Sequence, residues 1–516
     1  MATPQEKLAQ ALEVLHKLQE KHKTVAIKTS ELTRTHRELL SQHGFIKEVI
    51  SGWYITSSPE EREGDSTSWY SSYWNFCARY LNERYGNSYC LSAEQSLQIH
   101  AGNQAVPKQL TIRTTTGTNK PTSLPYGTSL FSMKSTLPNE AEIVEKEGLR
   151  LVSLPSSLIH CIPITYTKSA IDVRTVLASI KDPSELLGLL LEGGHSKIAG
   201  RLAGAFRNIG QSRFADTILK TMRAAGYDVR ENDPFADKPL IDLSGRKESP
   251  YVTRIRLLWS AMREVVIQHF PKAPGLPEDH ARYMKKVADM YVTDAYHSLS
   301  IERYRVTSEL IERVRSGDWD PKENEEDRKQ RDAMAARGYW LATQRVHESL
   351  KRILNKENPG LVVDEDHGDW YRELFAPSVI SGILKASDLA GYRNDQVYIG
   401  QSKHVPLNKE AIREAMPELF ELLKNEESTA VRAVLGHFVF VYIHPYMDGN
   451  GRMGRFLMNG MLASGGYPWT VIPVEERDTY MKALEEASVN QNIEPFAQFI
   501  GWLVGESLKG KQVAKI

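Results

Sequence analysis

The stretch HPYMDGNGRMGRF, residues 444–456, lies between two segments of helical pattern. Residues 430–443 read AVRAVLGHFVFVYI and are apolar enough for a buried helix, while residues 452–464 (RMGRFLMNGMLAS) resume a helical pattern. The sequence therefore predicts a helix–loop–helix whose loop is HPYMDGNG. Since helical patterns also dominate from residue 251 to the end, this part of the chain is predicted to be all-helical.

The end of this loop has the composition of an anion site. Gly449 and Gly451 can adopt positive φ and let the backbone approach a ligand closely. The first N–H groups of the second helix, together with the helix dipole, attract negative charge. Arg452 and Arg455 lie three positions apart, so they share a helix face from which both guanidinium groups can clamp phosphate oxygens.

Two further side chains extend this site toward group transfer. Asp448 would be repelled by a bare anion, so its place beside phosphates implies a cation such as magnesium between them. His444, at the entry of the loop, is placed to accept a proton from an incoming hydroxyl. A glycine-rich loop or a histidine at a helix end would alone predict only packing, but the whole set at fixed spacing predicts nucleotide phosphate transfer.

These residues resemble the signature of the Fic family of nucleotidyl transferases, H-P-F-x-D/E-G-N-G-R-x-x-R. The likeness extends over about residues 280–505 and includes GYRNDQVYIGQSKHVP (391–406), which is similar to the family's small β-hairpin flap. Tyr446 in place of Phe is the departure within the motif, and its hydroxyl would need a partner.

The resemblance implies a mechanism. His444 would deprotonate a Ser, Thr or Tyr hydroxyl of a target protein, which attacks the α-phosphate of ATP, so that AMP stays on the target and pyrophosphate departs. Asp448 would hold magnesium, Arg452 would stabilise the leaving group, and Arg455 would grip the γ-phosphate. The resemblance also implies that the flap aligns the target by strand pairing and that further residues contact the phosphates or lie near the base. These residues are Ile399, Gly400, Gln401 and Ser402 of the flap, Gly449, Asn450 and Gly451 at the phosphates, and Tyr480 near the base.

Many Fic proteins are restrained by a helix with the pattern S/T-x-x-x-E-G/N, and a segment at about 290–305 contains SLSIER, with Ser298 and Glu302 at the matching positions. The resemblance implies that Glu302 reaches Arg455 and occupies the place of the γ-phosphate. Arg303 replaces the expected small residue and could pair with Glu302, which would weaken the restraint. The alternative is that Glu302 is an ordinary charged residue on the helix surface. Whether Glu302 also assists removal of AMP from the target, as in some relatives, is left open by the sequence.

The N-terminal residues 1–60 are predicted to form a winged helix-turn-helix. Residues 4–23 have amphipathic helical spacing, and a short helix, a second helix and a two-stranded ribbon follow. The second helix would offer Arg34, His36 and Arg37 to DNA, although eight Lys/Arg against seven Asp/Glu give little positive charge for that purpose. A small helical packing module is the alternative.

Residues 61–228 are predicted to be an α+β regulatory region, with strands within 100–165 and helices within 175–226. The order of elements over about residues 5–226 resembles the antitoxins of abortive-infection type IV toxin–antitoxin systems. That resemblance implies autoregulation or control of a partner. A polar stretch at 228–250 is predicted to separate this half from a Fic domain at 251–510.

Composition excludes a global attraction to nucleic acid or membrane. Lys plus Arg and Asp plus Glu both total 65 in a chain of 516 residues, so such contacts would need a local patch. Cys77, Cys90 and Cys161 fit neither a disulfide framework nor a metal-ligand spacing, which favours a reducing compartment. No long uncharged apolar run occurs, and we expect a cytoplasmic protein without membrane contact.

The sequence therefore predicts a mainly α protein: an all-helical Fic domain with a small β-hairpin flap, preceded by a winged-helix and α+β region. The predicted function is protein adenylylation with ATP and magnesium, restrained by Glu302. The alternatives are a DNA-binding regulator whose Fic domain senses nucleotide, and a Fic transferase of another group, such as UMP or phosphate. The expected partners are a target protein with an acceptor hydroxyl, DNA through the N-terminal region, and a second copy of the chain in a homodimer.

Overall fold

A computed structural model describes residues 3–22, 25–62, 64–239, 243, 249–317 and 331–516. The chain divides into two compact units. The N-terminal unit comprises Met1–Arg254 and Tyr398–Val405, and the C-terminal unit comprises Ile255–Val397 and Pro406–Ile516. The polar stretch predicted as a boundary, 228–250, lies partly outside the described residues.

Helices dominate both units, which confirms the mainly α prediction. The α-helices that begin in the N-terminal unit are Pro4–His22, Arg34–Gln42, Thr67–Tyr85, Ala93–His100, Leu154–His160, Thr165–Lys168, Ala170–Ser179, Ser184–Glu192, Ser196–Asn208, Ser212–Ala224 and Pro250–His269. Those of the C-terminal unit are His280–Asp289, Tyr291–Ile301, Ser308–Ser316, Arg331–Leu354, Pro359–Ile380, Lys409–Asn425, Thr429–Ile443, Asn450–Ala463, Arg477–Asn490 and Glu494–Leu508. Short 3-10 helices occur at Thr29–Glu31, Pro125–Gly127, Glu140–Glu142, Ala386–Leu389 and Val474–Glu476.

The first residues contain the predicted helices and ribbon, with one addition. Thr33 caps the Arg34–Gln42 helix, since its Oγ1 accepts the N–H of His36 at 3.2 Å. Strands Ile46–Ile50 and Trp53–Thr56 form the ribbon. A strand at Ala26–Lys28, which the sequence analysis missed, pairs antiparallel with the second ribbon strand. Three residues are too few to show a strand period, and this strand is fixed only by its partner.

The strands predicted within 100–165 are also present. One sheet has four strands, and its two longest members pair in parallel. Its strands are Tyr89–Leu91, Gln109–Thr114, Pro121–Ser123 and Ser129–Lys134. A separate antiparallel pair is formed by Ile143–Lys146 and Leu149–Val152. The sheet packs on the aromatic Thr67–Tyr85 helix, in a core that includes Trp69, Phe76 and Leu110.

In the C-terminal unit, the two helices that flank the HPYMDGNG loop are Thr429–Ile443 and Asn450–Ala463, which we call the first and second loop helices. Every residue of the first loop helix from Ala430 to Ile443 is buried except Arg432, so the loop grows from the core of the unit. The Pro359–Ile380 helix packs on the second loop helix and supplies the aromatic floor of the loop. Among the described helices, none has the length and apolar composition needed to cross a membrane.

Candidate active site

His444 ends the first loop helix in a left-handed conformation, with φ of 55° and ψ of 61°. Its Nδ1 lies 3.1 Å from the carbonyl oxygen of Val441. A carbonyl can only accept, so Nδ1 carries the proton and Nε2 is left as the basic nitrogen. Burial lowers the pKa of His444 to about 4, and the nearby Arg393 acts in the same direction. The imidazole is therefore neutral and ready to accept a proton at neutral pH.

Arg393 holds this conformation, and the sequence analysis missed it. Its Nε donates to the carbonyl of His444 at 2.8 Å, and its backbone N–H donates to the carbonyl of Pro445 at 2.9 Å. Its Nη groups donate to the carbonyls of Asp395, at 2.7 Å, and Leu407. Arg393 is buried, and burial lowers its pKa to about 10. Because its partners are backbone carbonyl groups, no pattern of side chains in the sequence could have predicted this role.

The middle of the loop is fixed by an aromatic stack and an amide. Tyr446 stacks on Tyr371 with ring centroids 3.7 Å apart and planes at 9°. The side chain of Asn450 accepts the N–H of Tyr446 at 2.9 Å and donates to its carbonyl at 2.8 Å. The Asn450 amide is thus used within the loop, so only its backbone N–H is available for the phosphate contact that the resemblance implies.

The N-terminus of the second loop helix has the geometry of an anion site. Gly449 caps it with φ of 80°, and a Cβ there would lie 2.8 Å from the ring of Phe375. The first helical hydrogen bond runs from the N–H of Met453 to the carbonyl of Gly449, at 2.9 Å. The N–H groups before it have no acceptor within the helix and point from its N-terminus, where an anion is stabilised.

Arg452 is buried at this helix start between two rings. Its guanidinium lies 5.1 Å from the centroid of Phe375 and 5.2 Å from that of Tyr304. Its Nη2 is 3.4 Å from Asp448 Oδ2, while its Nε has no hydrogen-bond partner among the described residues. A buried unpaired donor is costly, and a phosphate oxygen would satisfy it.

Asp448 is the residue that could hold a metal. Its side chain is 64% exposed and faces a cavity of about 880 Å³, whose walls also include Tyr371, Tyr392 and Arg452. The described residues contain no cluster of three or more His, Cys, Asp or Glu that would form a protein metal cage. One exposed carboxylate beside a phosphate site fits Mg²⁺, which commonly takes one or two carboxylates together with substrate phosphates and water.

Arg455 is bound from the helix Tyr291–Ile301, which we call the glutamate helix. Its Nε donates to Ser298 Oγ at 2.7 Å, and its Nη2 donates to the carbonyl of Ser298 at 2.9 Å and to Glu302 Oε1 at 2.8 Å. Burial acts to raise the pKa of Glu302, but the charges of Arg455 and Arg452 outweigh it and leave that pKa below its ordinary value. Nη1 of Arg455 has no partner among the described residues. The four-residue spacing of Ser298 and Glu302 brings both onto one guanidinium.

Gly451 makes room for this contact. A Cβ at Gly451 would lie 2.3 Å from Glu302 Oε1 and 3.2 Å from Arg455 Nη1. The absence of a side chain at Gly451 therefore accommodates the carboxylate of Glu302.

Arg303 departs from the family pattern at a position with a conformational demand. It has φ of 67°, and its N–H donates to the carbonyl of Ser300 while the N–H of Tyr304 donates to that of Leu299. These two bonds form a Schellman motif, whose left-handed residue is usually Gly or Asn. Arg303 is exposed and makes no ion pair with Glu302 among the described residues, so the pairing considered from the sequence is wrong.

Burial raises the pKa of Tyr480 to about 12, and the charges of Arg455 and Glu302 also act on it, so this tyrosine lies beside the candidate site. Its hydroxyl is 2.8 Å from Nε2 of His437, in the first loop helix, and not bonded to His444. Burial lowers the pKa of His437 to about 3, so this second histidine is neutral and acts as a packed partner of the tyrosine. The place that the resemblance implies for Tyr480, near the base, stays a prediction.

The four predicted flap residues, Ile399, Gly400, Gln401 and Ser402, form a turn in which the N–H of Ser402 donates to the carbonyl of Ile399 at 3.2 Å. Residues 391–406 contain turns and extended backbone but no paired strands, in contrast to the expected hairpin. Tyr398–Val405, which contains this turn, belongs to the N-terminal unit and is called the flap segment below.

Two of the three residues predicted to touch DNA make side-chain polar contacts within the N-terminal unit. Arg34 pairs with Glu38 at 2.7 Å, and Arg37 donates to the carbonyl of Thr29 at 3.4 Å. The Nδ1 atom of His36 is buried. Of the three, Arg34 is the one that stands well exposed.

Comparisons with known proteins address the C-terminal part. Residues 369–462 match the Fic/DOC family. Over 113 residues, 21% of this chain, the sequence is 38% identical to Protein adenylyltransferase Fic of Drosophila willistoni and covers 22% of that protein. The protein of the same name from Drosophila virilis is also 38% identical over 113 residues, with 23% of its length covered. The chain thus matches less than a quarter of the length of these curated relatives.

Solved Fic structures are also similar to the chain. Fic-1 from C. elegans gives a TM-score of 0.37 at 16% identity, with 67% of this chain and 96% of that chain covered. A Fic domain containing signaling protein from Bacteroides thetaiotaomicron gives a TM-score of 0.34 at 16% identity, with 52% and 99% covered. By the match of its sequence to the family, the chain contains a Fic domain of the Fic/DOC family at residues 369–462.

Proposed function

We propose that the C-terminal unit transfers AMP from ATP to a Ser, Thr or Tyr hydroxyl of a target protein. The observation that carries this proposal is the state of His444. Its Nδ1 proton is bound by the carbonyl of Val441, so Nε2 is the free base at the mouth of an anion-binding helix start. The curated relatives that match this domain carry the name protein adenylyltransferase, which supports the same reaction.

In the proposed reaction, the acceptor hydroxyl gives its proton to Nε2 of His444 as its oxygen attacks the α-phosphorus of ATP. A new P–O bond forms to the target, the bond to the β-phosphate bridging oxygen breaks, and pyrophosphate leaves. Arg393 keeps His444 in place through the His444 carbonyl, so it is a positioning residue for the base.

The phosphates would be held by the second loop helix. Its first N–H groups and the unpaired Nε of Arg452 suit the charge that develops on the leaving pyrophosphate, and Arg455 suits the γ-phosphate. Asp448 would hold magnesium, which supplies Lewis-acid stabilisation of phosphate charge when bound.

We further propose that Glu302 restrains this reaction. Its carboxylate uses the guanidinium that the γ-phosphate would take, through a bond of 2.8 Å in a largely buried pocket. ATP would then bind without its γ-phosphate on Arg455, in a pose that does not align the α-phosphate with the incoming hydroxyl.

Label transfer from α-³²P-ATP with magnesium, to the protein itself and to proteins of a bacterial lysate, tests both proposals. Glu302→Gly is expected to label strongly, and adding His444→Ala is expected to abolish the label. Glu312→Gly, on an exposed acidic residue that pairs with Arg315 and not with Arg455, is the matched control and is expected to label as weakly as the wild type.

The same assay separates the alternatives. Transfer from γ-labelled ATP or from α-labelled UTP, without transfer from α-labelled ATP, would leave the site chemistry standing but contradict AMP as the group. No transfer of any label by Glu302→Gly would contradict the enzyme and favour a nucleotide-sensing regulator.

For the N-terminal unit we retain the winged-helix and antitoxin-like assignments as proposals, together with DNA binding, a homodimer and a cytoplasmic location. The order of helix, strand, helix and hairpin supports the winged helix. The free, buried thiols of the three cysteines support a reducing compartment. A gel-shift with Arg34→Ala plus Arg37→Ala tests DNA binding, which is contradicted if the wild type shifts no DNA or shifts it independently of salt.

A further inference from the structure

The last four carbonyl groups of the glutamate helix, from Ser298 to Ile301, all have donors outside the regular helical ladder. Carbonyls in the last turn of a helix have no partner within the helix itself. The Schellman motif uses the middle two of them. The carbonyl of Ser298 accepts the guanidinium of Arg455, and that of Ile301 accepts Nε of Arg477, both at 2.9 Å. Two arginines from later in the C-terminal unit thus complete this helix end.

Arg477 is the arginine of this pair to which the sequence gave no role. It begins the helix Arg477–Asn490, its side chain is 27% exposed, and its Nη1 lies 3.6 Å from Asp478 Oδ1. A cation at the C-terminal end of a helix is favoured by the helix dipole, and a bond from a charged donor is stronger than a neutral one. Burial acts to raise the pKa of Glu302, and the charge of Arg477 is among the arginine charges that act to lower it.

The short 3-10 helix Val474–Glu476, which directly precedes Arg477, makes a second contact with the glutamate helix. The N–H of Val474 donates to Nδ1 of His297 at 3.0 Å. His297 is fully buried, and burial lowers its pKa, so the ring is neutral and its Nδ1 is an acceptor. We call Val474–Arg477 the anchoring segment, because it binds the glutamate helix at two points.

These two points lie beside the contacts that restrain Arg455. His297 and Ile301, which meet the anchoring segment, are four positions apart and share one face of the glutamate helix. Ser298 and Glu302, which bind Arg455, each follow one position later and share the neighbouring face. The anchoring segment therefore sets the position of the helix from which Glu302 reaches Arg455.

We propose that Arg477 is a positioning residue for the restraint, which holds Glu302 on Arg455 by completing the end of the glutamate helix. The inference rests on the proposed function, since a restraint acts only if the domain transfers AMP. It places control of the site partly in the anchoring segment, where a change would release Glu302 without touching its carboxylate.

The test uses the full chain, with and without Glu302→Gly, and three further substitutions. Arg477→Met removes the donors at similar side-chain length, Arg477→Lys keeps the charge and a single donor group, and Arg223→Met is the matched control. Nη2 of Arg223 donates to the carbonyl of Val229 at 3.2 Å in the N-terminal unit, which does not contain the glutamate helix. Label transfer from α-³²P-ATP, ATP affinity by calorimetry, and hydrogen–deuterium exchange of the peptide 291–305 are measured for each.

Arg477→Met is expected to raise transfer by about threefold to tenfold in the otherwise wild-type protein, the effect of one hydrogen bond. It is expected to leave transfer by Glu302→Gly unchanged and to speed amide exchange at the end of the glutamate helix. Arg477→Lys should fall between Arg477→Met and the parent, and Arg223→Met should behave as its parent. General damage to the domain would lower transfer, so a rise that depends on Glu302 identifies the positioning role.

Three results would overturn the proposal. A fall of transfer in both backgrounds, with a loss of ATP affinity, would make Arg477 a nucleotide contact. An equal rise in both backgrounds would show that Arg477 acts without Glu302, and unchanged transfer with unchanged exchange would show that it holds nothing. If Glu302→Gly itself transfers no label, the proposed function fails, and exchange alone then decides whether Arg477 holds the helix end: faster exchange in Arg477→Met supports this role and unchanged exchange contradicts it.

Discussion

Glu302 Oε1 lies 2.8 Å from Nη2 of Arg455, and Gly451 is the residue whose missing side chain permits the approach. The guanidinium is held a second time by Ser298, through both its hydroxyl and its carbonyl. The end of the glutamate helix thus binds Arg455 through two residues, and Gly451 leaves the space that this contact needs.

The fit predicts a coupling between Gly451 and Glu302. Gly451→Ala would place a methyl 2.3 Å from Glu302 Oε1, so the carboxylate must move and its bond to Arg455 is lost. Its cost in free energy of unfolding is expected to be larger in the wild type than in Glu302→Gly, by about 1 kcal/mol in a double-mutant cycle of urea denaturation.

Gly460→Ala is the control for that cycle. It lies in the same helix, and a Cβ at Gly460 would contact Ile353 at 3.8 Å, an ordinary van der Waals distance. Its effect should be equal in both backgrounds. Equal effects of Gly451→Ala in both backgrounds would instead show that Glu302 does not occupy this position in solution.

Arg303 is expected to weaken the restraint by Glu302, because its left-handed conformation destabilises the helix end that presents Glu302 to Arg455. Arg303→Gly removes a left-handed side-chain-bearing residue, worth about 1 kcal/mol, from the end of the glutamate helix. Exchange of the Tyr304 amide should slow, and label transfer by the otherwise wild-type protein should fall further. Arg305→Gly, two residues on and also exposed, should do neither, and higher transfer by Arg303→Gly would contradict the argument.

The pH dependence of transfer follows from His444. Its pKa is lowered to about 4, so the neutral form that accepts a proton is present at all higher pH. Transfer by Glu302→Gly is expected to be level down to about pH 5 and to fall as His444 becomes protonated below that. Circular dichroism at each pH separates this loss from acid unfolding. A midpoint near the ordinary histidine value of about 6.5 would show that burial does not control this group.

Substitution of Arg393 is expected to reduce transfer even though its role does not require contact with ATP. Arg393→Lys keeps the charge but cannot reach the carbonyls of His444, Asp395 and Leu407 together, and it is expected to lower the stability of the unit by about 2–4 kcal/mol. Transfer should fall because His444 loses its fixed orientation. Arg372→Lys, on an exposed pair with Asp369, should leave both unchanged. Full transfer by Arg393→Lys would remove its positioning role.

The sequence was sufficient where side-chain chemistry repeats at fixed spacing. Helical patterns on both sides of the loop predicted the helix–loop–helix around His444. The approach of Glu302 to Arg455 was implied by the resemblance to the Fic inhibitory pattern. The sequence could not predict Arg393, whose partners are carbonyl groups that every residue has. It also could not predict the place of the flap segment, because the contact of Gln401 with Thr67 depends on how distant parts of the chain meet. The bond between Tyr480 and His437 could not be predicted either, because it depends on how the helices pack.

The unfilled Nη1 of Arg455 gives the restraint a particular thermodynamic character. Ser298 and Glu302 occupy Nε and Nη2, and one edge of the guanidinium has no partner among the described residues. Because Glu302 occupies Nη2, a γ-phosphate that takes this position would have to displace the carboxylate. ATP would bind both with Glu302 in place and with its γ-phosphate on Arg455, so rising ATP would lower the restrained fraction only by the difference between these two affinities. The response of the domain to nucleotide supply would then be graded and not all-or-none.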